Sequence, residues 1–159
     1  MQIITQNLVK SLFDYENGFL YWKINKGPIK AGTKAGSLRK DNRTDISINR
    51  KLYLAHRLIF LYHHGYLPIE VDHIDTLSNC IENLRPATHS QNGKNIKTPK
   101  NNTSGVKGVS WHKRSKKWVV SIGVNWKRKA LGYFDDLDLA ELVSIEARNK
   151  YHGEFANHG

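Results

Sequence analysis

The sequence predicts an α+β protein built in two small modules. Three observations carry that expectation. Residues 68–95 read as strand, strand, helix, with turn and cap signals at the joints. Residues 108–151 read as three strands followed by one amphipathic helix. Between them, residues 93–104 hold Gly93, Lys94, Lys97, Pro99, Lys100, Asn101, Asn102, Thr103 and Ser104 and little that is apolar, the composition of a linker. The expected modules are 1–98 and 99–159. Hydrophobic residues make up 39% of the 159, enough for two small cores rather than one large one.

In chain order, Leu8, Val9, Leu12 and Phe13 recur at helical spacing and predict a short helix over 5–13. Asn17-Gly18 marks a tight turn, and the alternating aromatic run Phe19 to Ile24 predicts a strand. Gly27-Pro28 and Gly32 punctuate a loop. Ala35 to Arg39 and Thr44 to Ile48 fit a hairpin around Asp41-Asn42, with Lys51 to Leu54 a further strand after Asn49-Arg50. Lys34, Arg39, Lys40, Arg43, Arg50 and Lys51 fall along the loops of this sheet, where they grip phosphates or form a solvated basic face. Ala55 to His64 predicts a helix with Ala55, Leu58, Ile59 and Tyr62 on one side, stopped by Gly65 and Pro68. His56 and Arg57 on it are candidates for contact with a phosphate, whereas His63 and His64 diverge around the helix.

Pro68 to His73 predicts a strand, Asn83 to Pro86 its return partner, and Thr88 with Gln91 a capping box opening a helix that carries Asn92 and Asn95. In the tail, Gly108 to Trp111, Trp118 to Val124 and Arg128 to Phe134 predict strands, with Trp111 and Trp118 read as core. Asp138-Leu139-Ala140-Glu141 predicts the cap of a helix running to about Tyr151, with Ala140, Val143, Ala147 and Tyr151 on one face and Gly153 ending it.

Lys and Arg number 25 against 14 Asp and Glu, a formal charge of +11, which points to a polyanionic partner, most simply nucleic acid. Cys80 is the only cysteine, so neither a disulfide within one chain nor a Cys₄ zinc site can form, as expected in a reducing cytoplasm. No run approaches the length of a membrane span, and the first residues lack the form of a signal peptide. No obligate protein partner is evident.

The stretch with chemistry in it is Val71-Asp72-His73-Ile74-Asp75, followed by Asn83-Leu84-Arg85 and Gln91-Asn92. A carboxylate beside an imidazole can serve phosphodiester cleavage: Asp72 is a hard oxygen ligand for a divalent ion, and His73 can take a proton from water near neutral pH. Asn92 offers a second oxygen ligand, and Asn83 can orient the imidazole.

These residues resemble the HNH endonucleases of the ββα-metal fold, in their phage and intron homing branch. The resemblance rests on Asp72-His73, Asn83 and Asn92, with Ala55-His56-Arg57-Leu58 and Glu82-Asn83-Leu84-Arg85 around them. It implies that His73 is the general base, that Asn83 holds His73, and that Asp72 and Asn92 hold one divalent ion. Asn rather than His at the last position suits Mg2+, or Mn2+, more than Zn2+.

The tail resembles the Apetala-two/ethylene-response-factor DNA-binding domain, on Ser104-Gly105-Val106-Lys107-Gly108-Val109, Trp118, Leu131-Gly132-Tyr133-Phe134 and the Ala140 helix. That resemblance implies that the sheet lies in the major groove of double-stranded DNA, with Lys107, Ser110, His112, Lys117, Ser121 and Arg128 facing it. Arg114 and Lys116 join a basic run over 107–131 that contains no acidic residue. The reading is a metal-dependent, homing-type DNA endonuclease in the host cytoplasm of a phage, with a C-terminal DNA-reading module. The alternatives are a non-catalytic, sequence-specific DNA-binding regulator on the same scaffold, and an RNA-binding protein, which no RNP-type aromatic motif supports.

Overall fold

The computed structural model describes residues 4–75, 77–95, 98, 101–124 and 127–159. The chain divides into two compact units, residues 1–88 and 89–159.

The first unit opens with α1 (Gln6–Leu12), whose N-cap Thr5 accepts a hydrogen bond from the backbone N–H of Leu8. A hairpin follows, β1 (Phe13–Glu16) and β2 (Phe19–Trp22). A three-stranded antiparallel sheet comes next, β3 (Ser37–Leu38), β4 (Thr44–Ile48) and β5 (Lys51–Leu54) in that order. The chain passes directly from β5 into α2 (Ala55–His64), which Gly65 ends at φ 79°. Six residues of α2 are buried, and the helix packs on α1, β2, β4, β5 and the strand that follows it, so it is the central element of this core. Phe13, Leu20, Trp22, Ile46, Leu58, Ile59 and Phe60 fill the space around it. Strands β6 (Glu70–His73) and β7 (Leu84–Ala87) pair antiparallel, joined by a loop ending in a 3-10 turn at Ile81–Asn83. Pro86 is tolerated in β7 because a two-stranded sheet has only outer strands.

Differences from the expected elements are local. The strand expected over 35–39 shrinks to Ser37–Leu38, and that expected over 19–24 stops at Trp22. Asn83 ends the 3-10 turn rather than starting β7, because its N–H bonds the carbonyl of Cys80.

The second unit begins with α3 (His89–Lys94). Strands β8 (Val109–His112), β9 (Lys117–Val124) and β10 (Lys127–Phe134) form an antiparallel sheet in the order β10-β9-β8. Helix α4 (Leu137–His152) packs across β9 and β10, closing a core of Val109, Val120 and Ala140 with Trp118, Leu131, Phe134 and Val143. Trp118 is part of that core, while Trp111, meeting it edge-on at 4.9 Å, stays 45% exposed.

Two expectations are corrected here. The cap of α4 is Asp136, not Asp138: the Asp136 backbone is still extended and its carboxylate accepts from Leu139 N, which places Asp138 inside the first turn. The division expected after residue 98 falls after Thr88, because α3 packs on the 3-10 turn Gly153–Phe155, Lys94 donates to the carbonyl of Tyr151, and Asn157 bonds Asn95. Lys97, Pro99 and Lys100 of the expected linker lie outside the described residues.

Candidate active site and nucleic-acid surface

In the first unit the site is built on β6. Its last two residues are Asp72 and His73, and the antiparallel register sets Asp72 opposite Arg85 and His73 opposite Leu84. Side chains directly opposite one another project to the same side of a sheet. Arg85 therefore reaches Asp72 directly, with Nε at 3.0 Å and Nη2 at 2.8 Å, both on Oδ2. Asp72 is buried, so this charge-assisted pair stands largely out of water.

His73 points to a different partner. Its Nε2 stands 2.8 Å from Oδ1 of Asn79, in the β6–β7 loop. A ring that donates from Nε2 to an amide oxygen carries its basic lone pair on Nδ1 when neutral. The Asn83 amide braces the loop itself: Oδ1 accepts from Asp75 N at 3.1 Å and Nδ2 donates to Ser78 O at 2.8 Å. Asn83 O also accepts from Ile74 N. Asn79 was not a candidate in the sequence; it lies at no recognisable motif spacing, and only the loop closure brings it to the ring.

Helix α2 supplies the other wall. His56 is buried with its ring centroid 4.9 Å from that of His73. Burial, and then the charges of His73, Arg43 and Arg57, push the His56 pKa down to about 3, so its ring is neutral near pH 7. Arg57 does not stand ready for a phosphate: Nη1 and Nη2 donate to the carbonyls of Ile69 and Pro68, tying α2 to the start of β6. His63 packs edge-on against Tyr15 and His64 against Phe60. Cys80 is a free thiol in the loop, and its backbone passes so close to the β1–β2 turn that a Cβ on Gly18 would stand 2.9 Å from Cys80 N.

Among the described residues no group of three or more His, Cys, Asp and Glu side chains could hold a metal. The oxygen donors around His73 include the Asp72 carboxylate and the amide oxygens of Asn79 and Asn83. That set does not suit Zn2+, but it fits an ion of the Mg2+ kind, which keeps waters and shares its shell with substrate phosphate. Asn92 is half-buried on α3, in the second unit.

In the second unit the strand register gathers a polar face. Ser110 pairs with Val119 and Val119 with Tyr133; His112 pairs with Lys117, Ser121 with Ala130, and Gly123 with Arg128. Alternation puts all of these on the side away from Val120 and Trp118, which pack under α4. Ser110, His112, Lys117, Ser121 and Arg128 thus share one surface. Arg128 Nε bonds Ser121 Oγ at 2.8 Å, and Lys117 pairs with Asp135 at 2.9 Å. Arg114 and Lys116 sit exposed in the β8–β9 turn.

Lys107 is placed elsewhere, a correction to the expected set. Its ammonium donates to the carbonyls of Lys94 and Asn157, and burial, then Arg148, draw its pKa down to about 8. Tyr133, which the sequence reading did not single out for this face, is 52% exposed, with its ring 5.3 Å from that of His112. Leu131 packs on the core, and a β-bulge between Ala130 and Gly132 brings Tyr133 onto the same face as Arg128.

Residues 53–94, from β5 through α3, match the HNH endonuclease family. The site around Asp72 and His73 is therefore that of an HNH endonuclease domain. Protein 3.8 of Escherichia phage T7 is 40% identical to this chain over 90 residues, which cover 54% of the chain and 72% of that protein. The chain belongs to the same family as that phage protein. No solved structure matches it. Among the described residues no helix is long and apolar enough to cross a membrane.

Proposed function

We propose that this chain is a metal-dependent, homing-type DNA endonuclease that acts in the host cytoplasm, with the first unit cutting and the second reading the duplex. The observation that carries the reading is the hydrogen bond between His73 and Asn79 on a strand whose preceding residue is the buried carboxylate of Asp72. An imidazole held in one tautomer takes a proton at one defined nitrogen. His73 takes the proton, and the water oxygen attacks the scissile phosphorus in line. Asn79 keeps the ring in one tautomer, and Asn83 keeps the loop that carries Asn79 in place. The neutral His56 behind the ring adds no competing charge. Asp72 would take part in holding Mg2+ or Mn2+, which would supply charge stabilisation at the phosphate and at the leaving oxygen.

The polar face of the second unit supports DNA reading of the Apetala-two type. Ser110, His112, Ser121, Arg128 and Tyr133 would meet base edges and sugars, and Arg114, Lys116 and Lys117 phosphates. Supercoiled plasmid incubated with and without Mg2+ tests the whole reading. Nicked or linear product that disappears on chelation is expected; a plasmid left supercoiled in Mg2+ and in Mn2+ counts against it.

One observation favours a second reading, a DNA-binding regulator that keeps the nuclease scaffold without cutting. Arg85 places two donors on one oxygen of Asp72, neutralising the carboxylate expected to hold the ion. Tight duplex binding with no cleavage under any divalent ion would select it.

A further inference from the structure

The first unit closes two hairpins with the same kind of turn and different residues. Between β1 and β2, Glu16 pairs with Phe19, and the turn is Asn17-Gly18 at φ 46° and 83°. Between β4 and β5, Ile48 pairs with Lys51, and the turn is Asn49-Arg50 at φ 49° and 62°. Two left-handed residues in a two-residue loop form the turn that favours Asn-Gly, because a side chain at the second position crowds the following carbonyl. Gly18 meets that demand and also the close approach of Cys80. Arg50 violates it.

Nothing in the fold requires the violation. Arg50 is exposed, and no ion pair, hydrogen bond or ring contact of its side chain occurs among the described residues. Glycine would adopt φ 62° there without crowding. What arginine adds is charge at the tip of the β4–β5 hairpin. Lys51 follows it, exposed, with Nζ 6.0 Å from the Tyr53 ring centroid. Lys26 Nζ is fixed on the carbonyl of Ser47, the residue that pairs with Leu52 in the adjoining rung. Three cations therefore stand at one end of the β4–β5 ladder. The second unit repeats the compromise: Lys116, at the tip of the basic β8–β9 turn, is held at φ 51°.

We infer that the Asn49-Arg50-Lys51 tip is a second DNA contact, gripping backbone phosphate of a duplex from the first unit, and that the strain at Arg50 persists because the charge is needed there. The inference rests on the DNA-endonuclease reading above. It assigns the tip no base readout, since a flexible cation on a phosphate oxygen carries no sequence information.

Three variants of the full chain test it, Arg50→Gly, Arg50→Gln and Arg50→Lys, each measured for thermal midpoint and for affinity to a short random-sequence duplex over a range of salt. Arg50→Gly is expected to raise the midpoint by about 4 °C, through relief of the left-handed strain. It should also make the slope of log affinity against log salt shallower by about 0.9, the loss of one phosphate contact. Arg50→Gln should lose the same slope with no gain in midpoint, and Arg50→Lys should keep the slope. A Gly variant that binds with the wild-type slope, or that gains no stability, overturns the inference while leaving the endonuclease reading intact. A wild-type chain that binds no duplex overturns both.

Discussion

Asp72 and Arg85 face one another across β6 and β7, with Nη2 of the arginine 2.8 Å from Oδ2 of the carboxylate and both side chains nearly out of solvent. The pair sits one residue before the histidine that the site is built around. It sets two donors of one guanidinium on the same carboxylate oxygen.

Removing one partner of this pair should therefore cost more than removing both. Arg85→Met leaves an uncompensated charge in the sheet, and truncating one member of a buried pair costs about 3–5 kcal/mol. The double variant Asp72→Asn with Arg85→Met should recover a substantial part of that loss. Denaturant unfolding of the two singles and the double gives the coupling; additive effects would show that the pair contributes nothing beyond its separate residues.

His73 and Asn79 should separate chemistry from positioning. His73→Ala removes the base and should reduce cleavage by about 10²–10⁴-fold with duplex affinity nearly unchanged. Asn79→Ala leaves the base and frees the ring, for a smaller loss of about 10–100-fold. Its distinguishing sign is in the imidazole nitrogen shifts of His73, which should move from one tautomer to a mixture. Unchanged shifts would remove Asn79 from the role.

His56 should make the fold acid-sensitive. Its pKa falls from 6.5 in the unfolded chain to about 3 in the folded one, chiefly through burial. Between those values the unfolded state binds the extra proton, so stability rises with pH in that window and is fully present above about pH 6.5. On acidification it is lost at up to about 1.4 kcal/mol per pH unit as pH drops towards 3. His56→Phe should flatten that part of the profile, measured as unfolding free energy against pH. An equally steep profile in the variant would place the acid sensitivity elsewhere.

Tyr133 should matter to DNA and not to the fold. It lies half-exposed on the open face beside His112, clear of the core under α4. Tyr133→Ala is expected to weaken binding to a preferred site more than to random duplex, while Arg128→Ala also reduces the salt slope by about 0.9. Equal weakening on both duplexes by Tyr133→Ala would show that the ring contributes contact but not preference.

The sequence alone determined what depends on neighbours in the chain. Residue types and short periods are enough to place α2 between Ala55 and Gly65, to set Asp72 beside His73, to close the β1–β2 and β4–β5 turns, and to mark the tail as three strands and a helix with one basic run. The family match over residues 53–94 falls on the stretch where those local signals are densest. Tertiary structure decided what depends on residues meeting across the fold. Strand register gives Asp72 its partner Arg85, and loop closure brings Asn79 to the His73 ring. Packing onto the Gly153–Phe155 turn and the C-terminal residues draws α3 into the second unit. A single bulge shows the difference most directly. Plain alternation from Arg128 would put Tyr133 on the far side of the sheet; the extra residue at Leu131 reverses the parity and brings Tyr133 to the open face. Side-chain direction in a strand has a period of two, so an irregularity of one residue, set by how the strand meets its neighbour and the helix beneath, changes every assignment after it.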